Sequence, residues 1–224
     1  MRMKYILAAT AALSLSAISA AHADVIYTGN IASQNATNYG GSGANVVLNQ
    51  YDTLTLPALN AIILTVTTSE AANVGVNNHS TTTDYGFTNA TATVLLDLTG
   101  PGGLSNTLST TATQASGTAL ANSITNFPGL TSGTTYSVTL TGANLAAYEG
   151  TGSVSLNFLA LTGGALFGGT TSAPNNTLFF GGGANLGVNV MIDYQNVPEP
   201  ASLAILGSAM LGMGLIRRRR NHAA

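Results

Sequence analysis

The sequence predicts an all-β protein whose main domain is an antiparallel β-sandwich of about 8 to 10 strands, jelly-roll-like or immunoglobulin-like. Apolar residues alternate with Thr, Ser or Asn in several short segments, which is the pattern of strands with one buried and one hydrated face. One-sided burial of this kind is typical of antiparallel rather than parallel sheets. The clearest segments are 62–67, 93–98, 137–141, 153–158 and 185–194.

Glycine-rich turn signals separate these segments, most clearly at residues 40–43 and 100–103. The run from 163 to 183 is rich in Gly, Ala, Ser and Thr, which indicates a long loop or a loosely packed edge. Helical turns are predicted only weakly, at 113–121 and 145–148. A β-helix is the alternative architecture, but the sequence shows no fixed-period repeat that would support it.

Residues 1–23 have the three parts of a secretory signal peptide. Two basic residues open the segment, an apolar stretch follows, and Ala21 and Ala23 fit the small-x-small cleavage pattern. The mature chain is therefore expected to begin at Asp24. An uncleaved N-terminal anchor is the alternative interpretation.

Residues 197–224 carry three signals in a fixed order. If the sixteen uncharged residues at 201–216 form a helix, they rise about 24 Å, short of the ~30 Å hydrocarbon core, and the stems of flanking arginines extend that length. The positive-inside rule places the arginines in the cytoplasm, which leaves residues 24–196 outside the inner membrane. The helix is preceded by Val197-Pro198-Glu199-Pro200 and followed by Arg217-Arg218-Arg219-Arg220.

This arrangement resembles the PEP-CTERM sorting signal of exopolysaccharide-producing Gram-negative bacteria. The resemblance covers residues 197–220. It implies recognition by an exosortase, a membrane-embedded cysteine protease that cuts near the motif. The implied route is export, an inner-membrane precursor, and delivery to the cell surface or extracellular matrix. An ordinary C-terminal tail anchor is the alternative. Pro198 and Pro200 favour an extended backbone outside the membrane, as a protease substrate requires.

The body of the chain contains no cation. All six Lys and Arg lie at positions 2, 4 and 217–220, whereas the eight acids lie between Asp24 and Glu199. Residues 24–196 therefore cannot make the phosphate contacts that nucleic-acid binding needs, attract anionic lipid head groups, or clamp a phosphate substrate. The absence of Cys excludes disulfides and thiolate chemistry.

Three short segments of the body also resemble choice-of-anchor domains of type E. These domains have no assigned chemistry, so the resemblance implies a fold and no mechanism. The segments are 48–52, 61–68 and 148–154.

Little in the body predicts catalysis. His79 is the one histidine of residues 24–196, and no Gly-x-Ser-x-Gly elbow accompanies it, so an exposed loop imidazole is favoured over a Ser-His-Asp triad. Two converging carboxylates could hydrolyse a glycoside, but the acids are scattered along the sequence. We therefore expect no enzymatic activity, with a matrix glycoside hydrolase as the remaining alternative.

Calcium is the cofactor that an acidic, cation-free body would accept, because Ca²⁺ prefers hard oxygen ligands. No EF-hand or nonapeptide calcium pattern is present, so any site would be assembled by the fold. The candidate ligands are Asp52, Asp84, Asp97, Glu149 and Asp193.

The expected function is that of an exported, non-enzymatic surface or matrix protein associated with extracellular polysaccharide. A self-assembling adhesin is one alternative, because a Thr-rich, cation-free sandwich has few charges to protect its edge strands. A carbohydrate-binding module is another, and it should present a row of exposed aromatic side chains. The candidates for that row, most of which could equally be core residues, are Tyr27, Tyr39, Tyr51, Tyr85 and Phe87.

Overall fold

The computed structural model describes residues 24–196, which form eight β-strands and three short 3-10 helices. The signal peptide predicted at 1–23, the motif at 197–200, the helix at 201–216 and the arginine cluster all lie outside the described residues. The 3-10 helices are Ala36–Tyr39, Pro101–Gly103 and Gly142–Tyr148. The strands are β1 (Val25–Asn35), β2 (Ala44–Asn49), β3 (Leu59–Asn78), β4 (Tyr85–Gly100), β5 (Leu104–Ala119), β6 (Ser123–Thr141), β7 (Ser153–Thr171) and β8 (Leu178–Asn196).

The strands form two four-stranded sheets, and every pair of neighbouring strands is antiparallel. Sheet 1 has the order β1-β8-β3-β6, and sheet 2 has the order β2-β7-β4-β5. Eight antiparallel strands shared between two sheets in this order form a jelly roll. The predicted all-β antiparallel sandwich is therefore confirmed, and the strand order is that of the jelly roll rather than the immunoglobulin fold.

The alternation in the sequence explains how each sheet divides its residues between core and surface. In β3, Leu64 and Val66 are fully buried between the sheets, whereas Thr65 and Thr67 lie on the outer face. Burying one such aliphatic side chain contributes roughly 1.5 to 3 kcal/mol, so the repeated pattern fixes which face of each strand turns inward.

The glycine-rich run from 163 to 183 is not a long loop, so that half of the prediction is wrong. Most of it belongs to β7 and β8, with only a short connection between them. The alternative of a loosely packed edge agrees with the pairing, because β2 pairs only with 153–158 of β7 and β1 only with 185–194 of β8. Phe180 packs where a Cβ at Gly169 would otherwise lie, so the aromatic ring supplies contacts that the glycine lacks. The helical turn predicted at 145–148 is present within a 3-10 helix, whereas 113–119 belongs to β5.

The edges of the two sheets meet in pairs. β5 and β6 lie side by side on one flank, where the Thr134 hydroxyl donates to the carbonyl oxygen of Ser109 at 2.8 Å. β1 and β2 are the opposite edges of their sheets. None of the helices within residues 24–196 is long and apolar enough to cross a membrane.

Four fully buried tyrosines attach connecting segments to the sandwich. Each hydroxyl donates a hydrogen bond of 2.7 to 3.1 Å to a backbone carbonyl oxygen. Burial raises the pKa of Tyr148 to about 12 and also raises the pKa of Tyr194, so these phenols remain donors at neutral pH. The donor–acceptor pairs are Tyr39–Leu186, Tyr51–Pro57, Tyr148–Pro101 and Tyr194–Asn49.

Candidate functional site

His79 lies just beyond the end of β3, as the predicted loop imidazole. The amide nitrogen of Asn77 is 2.8 Å from its Nε2, and its ring lies against Phe179 with the ring centroids 4.7 Å apart. Neither neighbour is a nucleophile or an orienting acid. The contacts of His79 thus resemble those of a surface histidine rather than those of a triad base.

Two of the five calcium candidates use their carboxylates to fix loops. Asp52 accepts hydrogen bonds from the Leu54 backbone N–H at 2.9 Å and the Thr55 hydroxyl at 2.8 Å. Asp84 accepts one from the backbone N–H of Ala121 at 2.7 Å, across the connection between β5 and β6. The bonds of Asp52 are local capping interactions, whereas that of Asp84 joins the loop before β4 to the connection between β5 and β6.

The other three calcium candidates are spread over the sandwich. Asp97 lies on the outer face of sheet 2, Glu149 forms an isolated bridge with Tyr51, and Asp193 lies on the outer face of sheet 1. Within residues 24–196, no three acidic or histidine side chains come together in an arrangement that could hold a metal ion. The geometry therefore does not assemble these five residues into a shared calcium site.

Asp193 has a second acid close by. Burial raises its pKa, the negative charge of Asp24 raises it further, and a hydrogen bond with Gln195 opposes both effects. The Oδ1 atom of Asp193 is buried and has no hydrogen-bond partner. Asp24 and Asp193 are thus the acids to examine first for the hydrolase alternative.

The aromatic row expected of a carbohydrate-binding module is not formed by the predicted residues, and that expectation is wrong. Tyr39, Tyr51 and Phe87 are buried in the core, and Tyr27 and Tyr85 are half-buried. Their alternation phase places them inward, where large rings bury the most apolar area.

Two of the segments that resemble choice-of-anchor domains are neighbours in space. The backbone N–H of Tyr51 donates to the carbonyl oxygen of Tyr148 at 2.9 Å, and that of Gly150 donates to Tyr51 at 2.8 Å. The Gln50 side chain accepts from the Gly152 N–H at 3.1 Å and donates to the Ala147 carbonyl at 3.2 Å. These contacts give both segments a structural role in joining β2 to the start of β7.

An open groove with a volume of about 330 Å³ lies on the outer face of sheet 1. Its lining side chains are uncharged, and most carry a hydroxyl or an amide. We call it the Thr/Asn groove and define it by the side chains of Thr28, Asn30, Thr65, Thr67, Asn189 and Met191. The sequence alone does not reveal this groove, because its residues come from three strands that are distant in the chain.

Glu70 is a further candidate, which no motif of the sequence indicates. It lies in the middle of β3, is only 2% exposed, and neither of its carboxylate oxygens has a hydrogen bond of normal geometry. Burial raises the pKa of Glu70 to about 7, and the backbone N–H of Ala112 opposes this shift only in part. The signal was present in the sequence, because Glu70 shares the alternation phase of Leu64 and Val66.

Comparison with known families assigns the C-terminal segment. Residues 196–220 match the PEP-CTERM protein-sorting motif. The chain therefore carries this motif, which implies exosortase-dependent sorting of an exported protein through a membrane-anchored precursor. No curated protein matches the chain.

Comparison with solved structures adds no further assignment. A structure of the Gt strain of infectious bursal disease virus is 14% identical, with a TM-score of 0.14, over 89% of this chain and 50% of that chain. A structure of the T13 IBDV viral particle is 10% identical, with a TM-score of 0.15, over 79% and 40% respectively. The chain thus spans half or less of the length of these viral proteins. At such TM-scores the likeness establishes neither fold nor function.

Proposed function

We propose that this chain is a non-enzymatic protein of the cell surface or extracellular matrix, sorted by an exosortase that cleaves it near Val197-Pro198-Glu199-Pro200. The observation that carries the proposal is the PEP-CTERM motif at residues 196–220. The motif indicates where the protein is sorted, and residues 24–196 determine the properties of the protein after sorting.

The chemistry of the body supports a structural role. Residues 24–196 contain no Lys or Arg, so they lack the cations that bind phosphorylated or carboxylated substrates. His79 contacts an amide and an aromatic ring rather than a nucleophile. The acids that were candidates for a metal site instead cap loops or lie apart on the surface.

The arrangement of the edges bears on the adhesin alternative. β5 and β6 carry no charged residue in the sequence, which is the property that favours edge-to-edge pairing. However, these two edges lie against each other, and the Thr134 hydroxyl donates a hydrogen bond to the backbone carbonyl oxygen of Ser109 in β5. Assembly through this flank would have to displace that contact, which favours a monomeric matrix component over a fibre-forming adhesin.

The intact mass of the protein recovered from envelope and culture medium tests the proposal. We expect the delivered form to begin at Asp24 and to end near Pro200. The triple variant Pro198→Ala/Glu199→Ala/Pro200→Ala should remain in the inner membrane with its C-terminal segment attached. Pro174→Ala, a matched proline change between β7 and β8, should be sorted like the wild type.

Two results would contradict the sorting model. The first is a delivered pool that still contains Arg220. The second is a triple variant that reaches the medium at the same level, and with the same mass change, as the wild type.

A further inference from the structure

The residues of the Thr/Asn groove belong to two parallel rows of side chains on the outer face of sheet 1, and these rows continue past the groove into β6. The strand register places Thr28, Met191, Thr65 and Ser137 in one row. The second row contains Asn30, Asn189, Thr67 and Thr135. Strands lie about 4.8 Å apart and residues i and i+2 about 6.6 Å apart, so the rows form a regular grid of hydroxyls and amides.

The hydroxyls of this grid already lie close to one another. The Oγ1 atom of Thr65 is 3.3 Å from the Oγ of Ser137, and the Oγ1 atoms of Thr67 and Thr135 are 3.4 Å apart. Thr67 and Asn189 are nevertheless exposed and keep further donors and acceptors for a ligand.

The fold defines what borders the two rows at each end along the strand direction. At one end β1 shifts register between Ile31 and Gln34, and the backbone of Ser33 lies over Gly187, where a Cβ would be 3.6 Å from it. At the other end Ile26 is 55% exposed beside Asp193, its partner in β8. The two rows therefore lie between a backbone bulge on one side and an apolar and acidic border on the other.

The charge of the groove selects the class of ligand. No residue of its lining is charged. Asp193 lies at its border with Asp24 close by, and burial of Asp193 already disfavours the charged form of that residue. Residues 24–196 contain no cation, so an acidic polymer would meet only negative charge. The lining also lacks the aromatic and Arg residues that form the centres of protein–protein interfaces.

We propose that the Thr/Asn groove binds one chain of a neutral polysaccharide. Sugar hydroxyls donate to and accept from the Thr and Asn side chains, and Met191 contacts the apolar C–H face of the rings. This proposal rests on the proposed function, because it names a ligand that the protein would meet outside the cell.

Affinity electrophoresis of the full-length chain in detergent tests the site. The gels contain dextran, mixed-linkage β-glucan or galactomannan as neutral probes, and alginate as the acidic probe. At least one neutral probe should retard the wild type, and added salt should not reverse the effect, because no ion pair contributes. Thr67→Ala/Asn189→Ala should weaken the retardation roughly tenfold, because several hydrogen bonds are lost.

The matched control uses the outer face of sheet 2. Thr93 and Thr111 form a similar hydroxyl pair there, with 3.0 Å between the Oγ1 atoms. Thr93→Ala/Thr111→Ala should bind like the wild type. Asn189→Asp conserves shape but adds a charge, and it should weaken retardation without lowering the melting temperature.

Three results would overturn the site. They are a wild type that none of the neutral probes retards, equal weakening in the sheet 1 and sheet 2 variants, and tighter binding of alginate than of any neutral probe. None of these variants alters the sorting motif, so the intact-mass experiment still reports on sorting when the groove fails.

Discussion

The Oγ1 atom of Thr68 lies 2.7 Å from the Oγ1 atom of Thr110, and this hydroxyl pair joins the two sheets in the interior of the sandwich. Both side chains are almost fully buried, at 1% and 2% exposure. Thr68 also accepts from the backbone N–H of Thr134 at 3.2 Å, so the pair connects β5 to both β3 and β6.

Thr68→Val should destabilise the protein by about 1 to 3 kcal/mol, because it leaves the buried Thr110 hydroxyl without its partner at nearly unchanged volume. Urea denaturation of wild type and variant measures the difference. Thr67→Val, one residue away on the exposed face, should change the free energy of unfolding by less than about 0.5 kcal/mol. The double variant Thr68→Val/Thr110→Val should cost less than the sum of the single changes. Equal costs for Thr67→Val and Thr68→Val would contradict this role.

The buried Glu70 should make stability fall as the pH rises. Its pKa rises from 4.5 to about 7 on folding, so the folded state holds the proton more tightly than the unfolded chain. The resulting stability is fully present below pH 4.5 and is lost as the pH rises through about 7. The total loss is roughly 3 kcal/mol.

Glu70→Gln tests this, because the amide keeps the shape and cannot ionise. The variant should have a flatter stability profile between pH 4 and about pH 8, and it should be more stable than wild type at the alkaline end. Asp97→Asn, which changes a carboxylate on the outer face of sheet 2, should keep the wild-type slope. A slope that persists in Glu70→Gln would assign the pH dependence to another group.

Gly182→Ala should be among the most destabilising changes in sheet 1. Gly182 has a φ of +152°, and a Cβ there would overlap the backbone carbonyl oxygen of Asn73 in β3. We expect a loss of more than about 2 kcal/mol, from backbone strain and from separation of β8 and β3. Gly181→Ala is the matched control, because a Cβ there has open space. Thermal melts compare the two, and similar melting temperatures would contradict the prediction.

The alternation of side chains was sufficient to predict the class of fold and the interior of most strands. It failed between 163 and 183, because a run of glycines has no side-chain alternation to read. There the strand pairing is supported by Phe180 and by the neighbouring β3 backbone, both distant in sequence. Tertiary contacts decided the local structure, as is common for β-strands.

The candidate sites likewise differ in how far they could be predicted from the sequence. Glu70 could have been placed in the core from its phase with Leu64 and Val66, although its lack of a partner depends on what sheet 2 presents opposite. The Thr/Asn groove could be predicted only with knowledge of the strand order. Asn30 and Thr67 become neighbours of Asn189 only because β8 lies between β1 and β3.

The pairing of Val25 with Tyr194 brings the first and last strands together at one corner of the sandwich. β8 runs from that corner for 19 residues, so the opposite end lies up to about 60 Å away. The loop with His79 is at this far end, where its backbone N–H donates to Thr177 at 2.9 Å. Residue 196, the last described residue before the sorting motif, therefore lies at the end of the sandwich opposite the His79 loop.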